Sequence, residues 1–247
     1  MNNSANFTPN DDDVFGRIAN RYDSLCDLFS LGIHRLWKRR VAQIIANAPW
    51  QNLLDVASGT GDIVYRILQQ RLADNNLPDK AIDSSHQIII SDISLQMLDK
   101  AKEKVADHSV NAVFMQLDAE NMWQIASASQ DVVSISLGLK ICDRHKALQE
   151  AYRVLRTGGR LVILEASNIP LNWLHKLYLG YMSVVMPLIG WLATSGDSSA
   201  YQYLLKGVKD FPSAENLAQE IGAIGFSKVS FERLSFGIVA IHTAHKS

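Results

Sequence analysis

The fold is decided by the stretch Leu53-Leu54-Asp55-Val56-Ala57-Ser58-Gly59-Thr60-Gly61-Asp62, which has the pattern of a buried strand, a glycine-rich turn and the start of a helix. Glycines at such a turn carry no Cβ and tolerate positive φ, so the backbone can lie close to a ligand. The helix that follows offers unpaired N–H groups and the positive end of its dipole. The stretch therefore predicts a site for a nucleotide-like cofactor.

The details of this loop indicate which cofactor it suits. A dinucleotide fingerprint needs a third glycine three residues after the second, and Val64 stands there. A P-loop needs Gly-Lys-Ser/Thr, but Gly61 is followed by Asp62. What remains is the glycine loop of an S-adenosylmethionine (SAM) methyltransferase, whose cofactor has no phosphate.

Strand patterns alternate with helix patterns over most of the chain, which predicts a parallel sheet with helices on both faces. The predicted strands are 53–57, 87–91, 112–117, 131–137, 160–166, 228–234 and 236–242, and the predicted helices are 14–27, 34–46, 62–72, 95–106, 144–155 and 214–224. Residues 157–159 form a predicted turn. Because the last two strands are so close in sequence, they predict a hairpin. The expected fold is therefore an α/β, doubly wound, mostly parallel seven-stranded sheet with an antiparallel C-terminal hairpin, Rossmann-like, with a helical lid.

The chain predicts one domain over 14–247, preceded by a polar disordered tail over 1–13. The helices of 14–48 are the expected lid, and 169–210 is a helical insertion expected to cap the substrate. Leu177 to Ala193 contains no charged residue, but Pro187 and two glycines interrupt it, and later segments belong to the same sheet. This segment is therefore expected to be a buried or membrane-touching cap helix rather than a membrane span.

Composition excludes several classes of function. Lys and Arg total 24 against 25 Asp and Glu, so no basic field for nucleic acid exists. The two cysteines, Cys26 and Cys142, give neither a disulfide framework nor metal-ligand spacing, and no metal is expected. The first residues lack an apolar signal region. A cytoplasmic protein is therefore expected.

Side chains at the carboxyl ends of the predicted strands should meet at one edge of the sheet. Asp92, after strand two, can accept both ribose hydroxyls of an adenosine, although an Asp there can also be a helix N-cap. Asp118-Ala119-Glu120, after strand three, should meet the adenine edge, and Met97 should pack on its face. Ser134 to Gly138, after strand four, should lie beneath the methionine part.

The chain resembles the ubiquinone/menaquinone biosynthesis C-methyltransferases, a family of class I SAM-dependent enzymes. The matching stretches span nearly the whole chain, and that of Ser30 to Arg39 is far more family-specific than the glycine loop. They are Val14–Asp23, Ser30–Arg39, Leu54–Asp62, Ser91–Leu98, Arg153–Leu155 with Gly158–Leu161, Tyr201–Leu204 and Phe211–Pro212.

This resemblance implies that cofactor contacts fall on Thr60, Asp92, Asp118, Ala119 and Ser136, and that a ring carbon of a polyprenylated quinol is methylated. The full set expected to bind SAM, from the loop pattern and the resemblance together, is Asp55, Ala57, Gly59, Thr60, Gly61, Asp92, Ile93, Met97, Asp118, Ala119 and Ser136. The isoprenoid tail is expected in an apolar slot formed by Tyr178, Tyr181, Met182, Val184 and Met186, which could equally be ordinary helix core.

One departure from the family keeps three functions open. Lys140-Ile141 stands where the family has an Arg-Asn pair near the substrate ring. The chain is therefore expected to be a quinone C-methyltransferase, a relative redirected to another hydrophobic small molecule, or a non-catalytic component of a biosynthetic complex. The sequence assigns no catalytic base, since lone histidines such as His34 and His175 are more often structural. Peripheral contact with the inner membrane face, a homodimer and a biosynthetic complex are all compatible with the chain.

Overall fold

A computed structural model describes Ala19 and residues 22–73, 85–106, 110–193 and 207–247. The predicted tail, much of the first predicted helix, most of the polar loop before strand two and the Tyr201–Leu204 stretch lie outside these residues. Within the described part, no helix is both long and apolar enough to cross a bilayer.

The described strands form one seven-stranded sheet in the order β3-β2-β1-β4-β5-β7-β6. β1 pairs in parallel with β2 and β4, β2 with β3, and β4 with β5, whereas β7 is antiparallel to β5 and β6. The strands are β1 Asn52–Val56, β2 Gln87–Asp92, β3 Ala112–Gln116, β4 Gln130–Ser136, β5 Leu155–Ala166, β6 Phe226–Leu234 and β7 Val239–Lys246. The predicted fold class is confirmed.

The helices of the described residues cover both faces of the open sheet. They are α1 Tyr22–Ser30, α2 His34–Ala46, α3 Asp62–Ala73, α4 Leu95–Val105, α5 Arg144–Val154, α6 Asn172–Ala193 and α7 Ala214–Ile224. The central parallel strands β1, β2 and β4 are buried on both faces, as a parallel sheet covered on both sides requires. In β1, Leu54 belongs to the core cluster with residues of α5 and α7, and Leu53 belongs to the cluster with α2, α3 and α4.

Local backbone geometry explains where the predicted boundaries were wrong. Strand five begins at Leu155, not at Arg160, because residues 156–159 bulge out between the pairs Gln130↔Leu155 and Val132↔Arg160. Gly158 sits in that bulge at φ +79°, so the predicted turn is a bulge within the strand. The last strand begins at Val239 because Ser235–Gly237 form a 3-10 turn, and the first described helix ends at Ser30 rather than at Asp27.

The strand order places the site. β1 lies between β2 and β4. The loops that follow β1 and β4 therefore lead to helices on opposite sides of the sheet, and a crevice opens between them beyond the carboxyl ends of these strands. In open α/β sheets ligands bind at such a crevice. The glycine loop at 57–61 lies at this point.

Candidate functional site

The glycine loop lies close to the loop after β4. The backbone at Gly59 has φ +56°, a conformation that glycine adopts without strain. A Cβ on Gly138 would lie 2.6 Å from the Cβ of Ala57. Glycine at 138 therefore lets the two loops meet and shapes the space between them.

The crevice beyond these strands holds a cavity of about 330 Å³, here called the strand-end cavity. The predicted cofactor residues that line it are Ala57, Gly59, Asp92, Ile93, Met97, Asp118, Ala119 and Ser136. Its other lining residues are Tyr22, Leu117, Glu120, Leu137, Gly138, Ile141 and Cys142. Four strand ends that are far apart in sequence thus meet around one space.

Asp92 fixes the loop from across the sheet. Its Oδ2 accepts a hydrogen bond from the backbone N–H of Gly59 at 2.8 Å, and its Oδ1 accepts one from that of Ser94 at 2.9 Å. The second bond closes the turn that leads into α4. Asp92 therefore combines the two roles considered for it, since it supports a helix start and presents a carboxylate to the cavity.

The cavity wall suits a ligand with a flat ring and several polar atoms. Met97 and Leu117 are each 2% exposed and offer apolar surface, while the Asp118 carboxylate, which accepts from the N–H of Glu120 at 2.8 Å, lies beside them. Within the described residues, the buried Ser136 Oγ has no hydrogen-bond partner. Since buried polar atoms are normally paired, this hydroxyl suits a polar group of a ligand. The residues therefore fit the adenosine and amino-acid parts of SAM.

Three predicted cofactor residues, Asp55, Thr60 and Gly61, do not line the cavity. Asp55 lies under the loop, where its Oδ1 accepts from Ser134 Oγ and burial raises its pKa to about 7. Gly61 faces α4, and a Cβ there would lie 3.0 Å from that of Ala101. Asp55 lies in β1, whereas Thr60 and Gly61 lie in the turn, where only some of the residues face the cavity.

Thr60 ties the first helix to the glycine loop. Its hydroxyl donates to Asp23 Oδ1 of α1 at 2.8 Å and accepts from Lys104 Nζ of α4 at 2.8 Å. Lys104 also bonds Asp23 Oδ2 at 2.5 Å. This cluster holds α1 over the loop and brings Tyr22 to the cavity wall. The resemblance implies that Thr60 contacts SAM, and such a contact would require the hydrogen bonds of its hydroxyl to change.

A second cavity of about 350 Å³, here called the apolar cavity, adjoins the first and shares Tyr22 and Leu137 with it. Residues of α1, α2 and α6 and of the turn before β7 form most of its wall. Of the predicted tail slot, Tyr178, Tyr181 and Met182 line it, Val184 is 68% exposed and does not, and the Met186 side chain lies outside the description.

A buried ion pair lies in the wall of the apolar cavity. Lys140 Nζ lies 3.1 Å from Glu165 Oε1, with side chains 7% and 0% exposed. Glu165 also accepts from the backbone N–H of Lys140 at 3.0 Å and of Ala166 at 2.8 Å, and Lys140 Nζ donates to the Leu137 carbonyl. The carboxylate thus accepts three hydrogen bonds, and the ammonium is held beside Leu137, which lines both cavities.

His34 also lines the apolar cavity and is only 5% exposed. Its Nδ1 lies 2.7 Å from Ser30 Oγ and 3.8 Å from Asp27 Oδ1. Burial, with the nearby charge of Lys38, lowers the pKa of His34 to about 4. The imidazole is therefore neutral at pH 7. His175, the other histidine considered, accepts from the N–H of Ile169 at 3.3 Å and lines neither cavity.

Sequence reasoning missed Tyr22 and Cys142 as wall residues. Tyr22 lies at helical spacing from apolar residues, a pattern that indicates packing in a core. Only its place in the matching stretch Val14–Asp23 could have identified it as a residue of the site. Cys142 follows a short 3-10 turn at Leu139–Ile141 that no periodicity predicts. Among the described residues no cluster could hold a metal ion.

Comparisons with known proteins agree with this geometry. The model of the ubiE/COQ5 methyltransferase family matches residues 6–246. The chain is 38% identical over 238 residues to the "Ubiquinone/menaquinone biosynthesis C-methyltransferase UbiE" of Rickettsia prowazekii, covering 94% of this chain and 91% of that protein. It is 36% identical over 244 residues to the mitochondrial "2-methoxy-6-polyprenyl-1,4-benzoquinol methylase" of rice, covering 94% and 82%.

Solved structures share the fold at low identity. A SAM-dependent methyltransferase of Thermotoga maritima, titled a possible histamine N-methyltransferase, superposes with a TM-score of 0.64 at 17% identity, covering 95% of this chain and 98% of that one. The carbon methyltransferase CurJ superposes with a TM-score of 0.59 at 18% identity, covering 85% and 54%. These similarities show the class I methyltransferase architecture alone.

Proposed function

The chain belongs to the ubiE/COQ5 methyltransferase family and is a SAM-dependent methyltransferase, and from that premise we propose that it methylates a ring carbon of a polyprenylated benzoquinol or naphthoquinol in ubiquinone or menaquinone biosynthesis. The relatives that it matches over 94% of its length carry the names of such enzymes. The non-catalytic alternative has no support in these relatives.

The single observation that carries the proposal is the wall common to the two cavities. Tyr22 and Leu137 line both the strand-end cavity, which presents carboxylates and hydroxyls, and the apolar cavity, which presents aliphatic and aromatic side chains. Methyl transfer needs donor and acceptor in contact and in line, and holding them so removes much of the entropic barrier. Adjoining cavities of opposite character meet that need for a polar donor and a hydrophobic acceptor.

In the strand-end cavity, SAM supplies an electrophilic methyl group on its sulfonium sulfur. Asp92 is placed to accept the ribose hydroxyls, and Met97 with Leu117 to hold the adenine faces. Asp118 and Ala119 border the adenine edge. The residues proposed for the amino-acid end are Ala57, Gly59 and Ser136, with Ile93 at the rim, while Asp55, Thr60 and Gly61 support the loop from behind.

In the apolar cavity, the isoprenoid tail would lie along α1 and α6, and the quinol ring would face Leu137 and Lys140. Residues 14–247 would then form one methyltransferase domain, with the helices of 14–48 as the lid and 169–210 as the cap. Tyr178 and Met182 would contact the tail. Burying a tail in such a space gains about 0.8 kcal/mol for each CH₂ group removed from water.

Exposed apolar side chains at the cavity mouth support peripheral contact with a membrane on its cytoplasmic side. Leu31 and Tyr181 line the cavity yet are 78% and 50% exposed, and Phe236, next to the lining residue Ser235, is 86% exposed. Contiguous exposed apolar surface marks an interaction site. A lipid-dissolved quinol could enter the cavity from such a surface. A homodimer or a biosynthetic complex is an alternative use of the same surface.

A second candidate substrate is another hydrophobic small molecule, which the Lys140–Glu165 pair favours. An ammonium group is a point charge and does not form the two parallel hydrogen bonds of a guanidinium group. A ring with a different pattern of hydroxyl groups could therefore suit this cavity.

The proposal is tested by incubating the protein with methyl-labelled SAM and short-chain demethylated benzoquinol or naphthoquinol, kept reduced, and locating the label by mass spectrometry. We expect the label on a ring carbon of one quinol. Label on neither quinol, with SAM bound, would contradict the quinol proposal and direct the search to other apolar acceptors.

A further inference from the structure

The apolar cavity contains several groups that could take a proton, and the structure distinguishes among them. Burial raises the pKa of the Cys26 thiol and raises that of Tyr178 to about 12, so both remain protonated at pH 7. Glu165 already accepts three hydrogen bonds, and Lys140 is its cation. Among the described side chains of the cavity wall, His34 is the neutral base that remains.

The hydrogen bonds around Ser30 determine which ring nitrogen of His34 carries the proton. A serine hydroxyl has one proton to donate, and Ser30 Oγ donates it to the carbonyl of Cys26 at 2.7 Å. Ser30 Oγ therefore acts as the acceptor toward His34 Nδ1, which lies 2.7 Å away. Nδ1 carries the proton, and Nε2, on the opposite edge of the ring, has a lone pair that no described residue engages.

We propose that His34 is the general base of the methyl transfer, and that its Nε2 accepts the ring-hydroxyl proton of a quinol bound in the apolar cavity. This inference rests on the proposed function. Ser30 is a positioning residue because it fixes the tautomer, and Asp27 Oδ1, 3.8 Å from Nδ1, stabilises the imidazolium that forms. The base is thus placed between the quinol hydroxyl at Nε2 and the Ser30 hydroxyl that orients it at Nδ1.

The charges around His34 are balanced in pairs. On its own helix, Lys38 lies 3.2 Å from Asp62 Oδ2 of α3, and Arg35 pairs with Asp27 of α1. Across the cavity, Lys140 pairs with Glu165. Because each cation has a carboxylate partner, burial is the main influence that keeps the imidazole neutral.

The proton and electron balance of the step is complete. As the ring carbon bonds to the methyl carbon, the bond from methyl carbon to sulfur breaks and its electron pair stays on sulfur. The hydroxyl becomes strongly acidic and gives its proton to Nε2, which leaves a neutral dienone. The ring carbon then releases its hydrogen as a proton to water, and His34 returns its proton to the ring oxygen. A base of low pKa suffices, since the hydroxyl is acidic only during transfer.

The test compares His34→Gln with His175→Gln, the same change at a histidine outside both cavities. For His34→Gln we expect kcat at pH 7 to fall about 100-fold, with SAM affinity by calorimetry unchanged and KM for the quinol nearly so. Because this variant must use quinol that is already ionised, its kcat should rise about tenfold for each pH unit between 7 and 9. His175→Gln should retain wild-type kcat and pH dependence.

A second measurement does not depend on turnover. ¹⁵N NMR of histidine-labelled protein without substrate should show His34 protonated at Nδ1 and not at Nε2. Ser30→Ala should shift this balance toward the other tautomer and lower kcat less than His34→Gln does, which keeps a test available if His34→Gln does not fold.

The outcomes separate this inference from the function beneath it. Wild-type kcat in His34→Gln, a deficit that pH does not change, or a proton on Nε2 would each overturn the role of His34. A wild-type protein that labels no quinol would contradict the proposed function instead, and the NMR result would still stand for or against the tautomer.

Discussion

The two cavities are formed by different kinds of structure. The strand-end cavity is formed by short loops that follow β1, β2, β3 and β4, and each loop begins where a buried strand stops. The apolar cavity is formed by α1, α2, α6 and the turn before β7, which come from opposite ends of the chain. The first is thus a property of the sheet, and the second depends on helices added around it.

This difference explains why the two cavities would respond differently to change. The sheet topology fixes the positions of the strand-end loops, so one side chain there can be altered with the rest of the wall in place. On the apolar side, the buried apolar contact of α6 within the described residues is that of Met182 with Phe29 and Tyr178. We therefore expect the largest loss of stability at the buried ion pair on the apolar side, and the largest loss of SAM affinity on the strand-end side.

The largest effect is expected for Lys140→Met, which would leave the Glu165 carboxylate buried without its cation. Breaking such a pair costs about 3–5 kcal/mol in the free energy of unfolding. Urea denaturation measures it. Lys146→Met is the matched control, since Lys146 is 60% exposed and its ion pairs are loose, and it should cost no more than about 1 kcal/mol.

The double variant Lys140→Met, Glu165→Gln should recover most of the lost stability, because the amide keeps an acceptor for the backbone N–H groups without a buried charge. If the single variant is as stable as the wild type, the ion pair does not stabilise the wall of the apolar cavity. The expected difference in stability between the two cavities would then be wrong.

The next effect is expected for Asp92→Asn, which removes one of the carboxylates that line the strand-end cavity. Charge-assisted hydrogen bonds contribute about 1.5–3 kcal/mol, so the Kd for SAM should rise about 100-fold, measured by calorimetry. Asp99→Asn, on the exposed face of α4 with a side chain 65% exposed, is the control. Unchanged SAM affinity in Asp92→Asn would mean that Asp92 serves only the turn into α4.

A smaller effect is expected from pH through Asp55. Its folded pKa of about 7 lies above the unfolded value of 3.8, with burial as the main cause. The native state therefore binds a proton more tightly, and this contribution is fully present below pH 4 and lost as pH rises toward 7. Asp55→Asn should remove this slope and make the protein about 2 kcal/mol more stable than wild type at pH 8.

Thermal unfolding of both proteins from pH 5 to pH 8 measures this change, with Asp99→Asn again as the control for a surface carboxylate. Parallel curves for wild type and Asp55→Asn would show that Asp55 does not titrate in this range.

The smallest effect is expected for Met182→Ala, on the apolar side. Met182 is 8% exposed and packs against Phe29 and Tyr178. Its loss should raise KM for the quinol about fivefold, roughly 1 kcal/mol of apolar contact, with SAM affinity unchanged. Val184→Ala, on the same helix but 68% exposed, should leave KM unchanged, and equal effects in the two variants would show that the tail does not lie along α6.

The strand-end cavity could largely be predicted from the sequence because its signals are local. A strand, a glycine turn and a helix start are adjacent in the chain, and the topology rule brings their ends together. A loop pattern does not show which side chains face inward, and Asp55, Thr60 and Gly61 do not line the cavity.

The apolar cavity could be predicted only in part. Tyr178, Tyr181 and Met182 were identified from one apolar segment, but the contribution of Tyr22 and His34 depends on how α1 and α2 pack against α6. The periodicity that places these residues on helices is the same for core and for cavity. The proton position on His34 depends on a hydrogen bond to Ser30, which no pattern in the sequence indicates.

The most direct test of the account is a crystal structure of the protein with S-adenosylhomocysteine and a short-chain demethylated quinol. The account predicts the adenosine against Asp92 and Met97 and the quinol tail along α6, with the sulfur and the ring carbon facing each other beside Tyr22 and Leu137. Adenosine in the apolar cavity, or a quinol bound away from that shared wall, would contradict it.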